Sequence, residues 1–200
     1  EISTPLQNLK IIFSPPAFGK SSWLEKINKN GLNKSRFIDG DDILKLKISP
    51  HFGKPLIDLC EEYKPFKNAD LNWHRWHCEC LDEILRIQKK CTLGPVLCGY
   101  MVGEKKIDVL DNMSKFFVKS GETIPARMVG TDQIIIVLPK DEEQTNMYKE
   151  RYLKREIKNG KPEKDINRNW PDICISSYKW IWEKWPDIKV IHSFDDLLKS

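Results

Sequence analysis

The chain has 200 residues, 40% of them hydrophobic and 31% charged, a balance that fits one globular unit able to bury its own core. No apolar run approaches the ~20 residues of a membrane span, and no basic segment followed by an apolar stretch marks a secretory leader. A formal net charge of +4 is too small to argue by itself for a nucleic-acid binder. The six cysteines (Cys60, Cys78, Cys80, Cys91, Cys98 and Cys174) have no framework spacing. They read as reduced thiols, so the expected setting is the cytoplasm. The chain begins with Glu1 rather than Met, as a trimmed or processed chain or a domain of a longer one would.

Five short runs rich in β-formers mark the expected strands, taken in chain order. "LKIIFS" spans residues 9–14 and is followed by a predicted helix over 21–30 that stops at Gly31. "SRFID" spans 35–39. "PVLCG" spans 95–99, after the periodic stretch "LDEILRIQKK". "QIIIVLP" spans 133–139. "IKVIHSF" spans 188–194, after the Trp-rich "SSYKWIWEKW". Apolar strands alternating with helices predict an α/β fold: a parallel sheet covered on both faces, in three layers. The whole of 1–200 is expected to be a single domain. Residues 45–80 are expected to form a helical insert on the acceptor side, and the charged 140–172 a helix followed by a mobile flap ending in Gly160 and Pro162.

Residues 14–21, "SPPAFGKS", sit between the first strand and the first helix. A loop in that place aims backbone N–H groups at an anion, next to the positive end of a helix. Pro15, Pro16, Ala17, Phe18 and Gly19 would form the cradle. Lys20 would reach the β- and γ-phosphates, and the Ser21 hydroxyl, beside Ser22, would hold Mg²⁺. Only the first position departs from the pattern. Ser14 stands where glycine is usual, so either Ser14 takes a glycine-like conformation or the loop is reshaped.

"SPPAFGKSSW" resembles the "GPPGSGKST" loop of P-loop kinases of the nucleoside-monophosphate kinase type, and Trp23 after the hydroxyl pair is similar to polynucleotide kinases. The resemblance implies a P-loop NTPase fold with strand order 2-3-1-4-5 and a helical lid. It also implies ATP and Mg²⁺ as cofactors and transfer of the γ-phosphate to a hydroxyl or phosphate acceptor. A nucleotide, a nucleic-acid 5′ end and a small metabolite all remain open as acceptors, with no membrane partner and an oligomeric state left open.

"FIDGDDIL" puts Asp39, Asp41 and Asp42 where the second strand ends, the edge at which open α/β sheets bind ligands. This segment resembles the Asp-x-Asp of shikimate and gluconate kinases and the Asp-Asp of polynucleotide kinases. The likeness implies Asp41 as the acceptor-binding base and Asp39 as an outer-shell partner of Mg²⁺. A plainer reading makes Asp41 or Asp42 the cap of a helix beginning at Ile43.

The third strand departs from the monophosphate-kinase pattern "LDGFPR". Cys98 stands at the aspartate position, and Met101 and Val102 replace the proline and arginine. Mg²⁺ would then rest on Ser21, the phosphates and waters. Arg75 is an alternative source of the missing acceptor contact. In "MYKERYLKRE", Arg151 and Arg155 share a helix face four residues apart and resemble the arginines of a kinase lid. His74, His77, Cys78 and Cys80 face different sides of one helix, so packing is expected there rather than zinc. Trp170, Trp180, Trp182 and Trp185 read as core or partner-contact residues. The other class of function is a nucleotide-binding or scaffold protein that kept a kinase fold and lost turnover, with Ser14, Ala17 and Cys98 as its marks of erosion.

Overall fold

The computed structural model describes residues 10–46, 53–55, 69–91, 94–99, 105–125 and 127–199, with helical side chains in the third helix described from 76 to 89. Most of the expected 45–80 insert, together with Met101 and Val102, lies outside the described residues.

The chain is an α/β protein built on a five-stranded parallel sheet. Its elements are β1 (Ile11–Phe13), α1 (Lys20–Lys29), β2 (Ile38–Asp39), α2 (Gly40–Leu44), α3 (Ala69–Cys91), β3 (Val96–Cys98), α4 (Lys106–Met113), β4 (Phe117–Val118), β5 (Val129–Gly130), β6 (Ile134–Val137), α5 (Glu142–Lys158), α6 (Trp170–Lys184) and β7 (Lys189–Ile191). The main sheet runs β2-β3-β1-β6-β7, with β1 in the centre. Phe13 is in register with Cys98 on one side and with Ile136 on the other. Each strand is shorter than the run that marks it: β2 is trimmed at its amino end and the other four at both ends.

Both faces of the sheet are covered, which is why its strands read as unbroken apolar runs. Ile11 and Phe13 face a core that includes Leu81, Ile84, Leu85, Val109, Met113, Tyr148 and Tyr178, supplied by α3, α4, α5 and α6. Ile12 faces the other way, against Trp23, Leu24 and Ile27 of α1 and Phe194 and Leu197 near the C-terminus. Each such side chain contributes roughly 1.5–3 kcal/mol when fully buried. Trp23 stacks on Phe194, with ring centroids 5.5 Å apart, and donates its indole N–H to Asp195 Oδ1 at 2.9 Å.

Helix α1 ends as its sequence demands. Gly31 takes φ +67°, while Leu32 N–H reaches Ile27 O at 2.8 Å and Gly31 N–H reaches Asn28 O at 3.3 Å. That pair of bonds is the Schellman arrangement that glycine permits.

Two sequence expectations change. The segment between β3 and β6 holds α4 and a small parallel pair, β4 with β5, that no periodic run announced. The stretch 140–172, read as poor in core residues, instead buries Tyr148, Tyr152 and Ile166. The tyrosines sit four residues apart on one stripe of α5, and their rings supply the apolar area that the charged neighbours lack. Among the Trp-rich residues, Trp185 is buried against Phe117, Trp170 and Trp180 pack partly against the core, and Trp182 is exposed.

Among the described glycines, Gly94, just before β3, leaves the least room for a side chain. A Cβ there would lie 2.3 Å from Arg36 O and 2.7 Å from Ser35 O. At Gly99 the nearest atom to such a Cβ, Ser14 O, is at 3.4 Å, an ordinary contact. Gly94→Ala is therefore expected to lower unfolding stability by about 1–3 kcal/mol, and Gly99→Ala to change it far less. Urea denaturation of the two variants side by side checks the ranking.

Candidate functional site

Parallel strands bring their carboxyl ends to one edge of the sheet, so the segments after β1, β2 and β3 meet there. Ser14 continues β1 into the loop. Its N–H donates to Cys98 O at 3.2 Å, and its carbonyl accepts the hydroxyl of Tyr178 at 3.2 Å. Burial pushes the Tyr178 phenol well above its ordinary range, so it stays protonated and donates. The glycine-like conformation considered for Ser14 is not taken: the positive φ values in the loop belong to Ala17 (63°) and Gly19 (97°). Ser14 is still bound to the sheet, and the chain turns over Pro15–Phe18, where Phe18 N–H donates to Pro15 O at 3.3 Å.

Gly19 is the N-cap of α1 and offers no side-chain cap, and no acidic residue occupies the first turn. The first-turn amides of α1 therefore face the loop without a carboxylate competing from their own helix. Phe18 turns inward, edge-on to Tyr148 and Phe194 with ring centroids 5.4 and 6.1 Å apart. This aromatic contact anchors the loop to α5 and to the C-terminal segment.

Four of the anticipated side chains converge. Lys20 Nζ lies 2.8 Å from Asp39 Oδ1 and 3.7 Å from Asp41 Oδ2. Ser21 Oγ donates to Asp39 Oδ2 at 3.0 Å. Asp39 Oδ1 also accepts the N–H of Asp41 at 3.0 Å, which makes Asp39 the N-cap of α2. That helix begins at Gly40, so the cap assigned to Asp41 or Asp42 belongs to Asp39 instead. A two-residue strand followed at once by a helix puts the cap position on the last strand residue.

The electrostatics follow from burial and pairing. Burial pulls the Lys20 ammonium toward a lower pKa, but the carboxylates of Asp41 and Asp39 outweigh it and raise the value above normal. Burial works to raise the Asp39 carboxyl, and the Lys20 charge with the three hydrogen bonds lowers it below the usual carboxylate range. Both groups are charged at neutral pH.

The two arginines expected to belong to a lid part company. Arg151 Nη1 donates to Phe18 O at 3.0 Å, and the same nitrogen lies 3.1 Å from where a Gly19 Cβ would stand. Arg155 pairs locally with Glu156 at 3.4 Å instead. The Arg75 side chain lies outside the described residues. His77 and Cys80 are buried and Cys78 is half-buried, and among the described residues no three His, Cys, Asp or Glu side chains form a metal-holding group. Cys80, Cys98 and Cys174 are buried and Cys78 is half-buried. No helix among the described residues is long and apolar enough to cross a membrane. Neither the family models nor the curated proteins include a match to this chain.

Two contacts had no sequence signal. Tyr178 and Ser14 are 164 positions apart, and Arg151 and Phe18 are 133 apart. Nothing in either local pattern points to the other partner.

The Asp39 pairing has a pH signature. An unfolded aspartate titrates near ~3.9, and the folded value is lower. The stabilisation is thus fully present above about pH 5 and is lost as pH falls through the folded value. The expected cost of Asp39→Asn is ~1–3 kcal/mol near neutrality, shrinking as pH falls below the unfolded value and through the lower folded one. Urea midpoints of wild type and variant across that range check it.

Proposed function

We propose that the chain is a P-loop kinase-like phosphotransferase that uses ATP with Mg²⁺ to phosphorylate a hydroxyl or phosphate acceptor. The observation that carries this reading is the meeting of Lys20, Ser21 and Asp39 at the carboxyl edge, beneath a loop whose left-handed residues open onto the uncapped start of α1. Two further features support it. Counted in chain order, the five strands of the main sheet follow 2-3-1-4-5, and Arg151 reaches the loop from α5.

The donor set at Ser21 and Asp39 is all oxygen, which suits a hard cation such as Mg²⁺. Bound there, Mg²⁺ would neutralise charge on the phosphate oxygens. Lys20 would draw charge from the β- and γ-phosphates, and the amides from Gly19 to Ser22 would bind their oxygens. Asp41, with 42% of its side chain exposed and Lys20 beside it, is the group placed to meet an acceptor. Asp41 would take the proton of an acceptor hydroxyl as that oxygen bonds to the γ-phosphorus, and ADP would leave with the electron pair of the broken phosphorus–oxygen bond. Arg151 would stabilise the equatorial oxygens after releasing Phe18 O. The lack of framework spacing among the six cysteines supports a cytoplasmic setting.

A specific observation also favours the second reading, nucleotide binding without turnover. Cys98, at the carboxyl end of β3, gives that strand no carboxylate at this edge. Labelled ATP with a panel of nucleosides, 5′-hydroxyl oligonucleotides and small alcohols separates the two. For the kinase, Lys20→Ala abolishes transfer. Asp41→Asn lowers kcat about 10²–10⁴-fold with ATP affinity kept, and Arg151→Ala lowers it by roughly 10³-fold. ATP binding with no labelled acceptor selects the second reading.

A further inference from the structure

Asp39 is fully engaged before any ligand arrives. Oδ1 accepts from Lys20 Nζ at 2.8 Å and from Asp41 N–H at 3.0 Å, and Oδ2 accepts from Ser21 Oγ at 3.0 Å. Only 10% of its side chain and 15% of that of Lys20 are exposed. Lys20 therefore has two duties that exclude one another. It is the cation of a nearly buried carboxylate, and it is the group that must swing to an incoming phosphate.

Taking Lys20 away from Asp39 leaves a carboxylate held by neutral donors alone, in a place where water replaces little of the lost charge. The local sum also matters. One ammonium faces two carboxylates, Asp39 and Asp41, so the trio carries a formal charge of −1. Arg151, at Phe18 O, is the further cation at the loop. A polyphosphate without a counterion enters against that balance.

Resting on the phosphate-loop reading, we propose that Asp39 makes polyphosphate binding conditional on a divalent cation, because Lys20 is released to the phosphates only when another cation replaces it on Asp39. The replacement has a place to go. Ser21 donates its proton to Oδ2 and so keeps its lone pairs for a cation, and the departure of Lys20 frees one on Oδ1. Asp39 thus acts as a selectivity residue that discriminates metal-bound from metal-free ligand.

The test is calorimetric titration of the full chain with inorganic tripolyphosphate, in MgCl₂ and in EDTA. Wild type is expected to lose affinity by about 100-fold or more when Mg²⁺ is removed. Asp39→Asn keeps an acceptor for the Asp41 N–H and is expected to gain about tenfold in metal-free affinity, which shrinks the ratio. Ser21→Ala is expected to lose affinity in MgCl₂ only. Asp42→Asn removes a carboxylate that pairs with Lys45 on the exposed side of α2 and leaves the ratio unchanged. Equal wild-type affinity in the two buffers overturns the proposal even if Asp39→Asn fails to fold. So does an Asp39→Asn ratio equal to that of wild type. Absence of binding in both buffers, with Lys20→Ala indistinguishable from wild type, removes the phosphate-loop reading itself and is a separate result.

Discussion

The contact between Lys20 and Asp39 ties together every element of the candidate site. It joins the first residue of α1 to the last residue of β2, although β1 and β2 are not neighbours in the sheet. β3 lies between them, so α1 must cross over β3 for its chain to enter β2. The lysine begins that crossover and the aspartate ends it. A side-chain pair 2.8 Å long therefore fixes the spacing between the loop after β1 and the turn after β2.

The loop itself is held from below and from both flanks rather than by its own sequence. Ser14 is bonded to β3 through Cys98 O and to α6 through Tyr178, so the loop leaves the sheet from a fixed point. Phe18 packs edge-on against Tyr148 of α5 and Phe194, and Arg151 holds the Phe18 carbonyl. A glycine-poor loop has fewer unfolded conformations to lose, and its left-handed strain is confined to Ala17, since Gly19 takes a positive φ freely. Preorganisation by packing takes the place of the flexibility that more glycines would give.

What was legible in the sequence follows the range of the signal. The five strands of the main sheet were readable because each is a short apolar run, and α1 because Gly31 marks its end. The convergence of Lys20, Ser21 and Asp39 was readable because Lys20 and Ser21 open a helix and Asp39 closes a strand, where position alone decides direction. β4, β5 and α4 were not readable: two-residue strands have no period to detect. The burial of Tyr148 and Tyr152 was hidden by the lysines, arginines and glutamates around them on α5. The cap at Asp39 was misplaced by two or three residues because a strand that runs directly into a helix leaves no loop in which to look for one.

Cys98 explains why the carboxylate of the site comes from β2. It closes β3, in register with Phe13 across one side and one position beyond the Leu97–Asp39 pair on the other. Its thiol is completely buried. A carboxylate there would sit below the loop with its own claim on Lys20, and two acids would compete for one ammonium at the centre of the sheet. A small neutral thiol removes that competition and leaves a path over β3 along which the lysine reaches Asp39. Displacing the acid one strand outward keeps it beside Ser21 while α2, which it caps, holds its orientation. The cysteine and the aspartate are thus one arrangement: the first vacates the middle strand electrostatically, and the second supplies from the edge strand the negative charge that Lys20 requires.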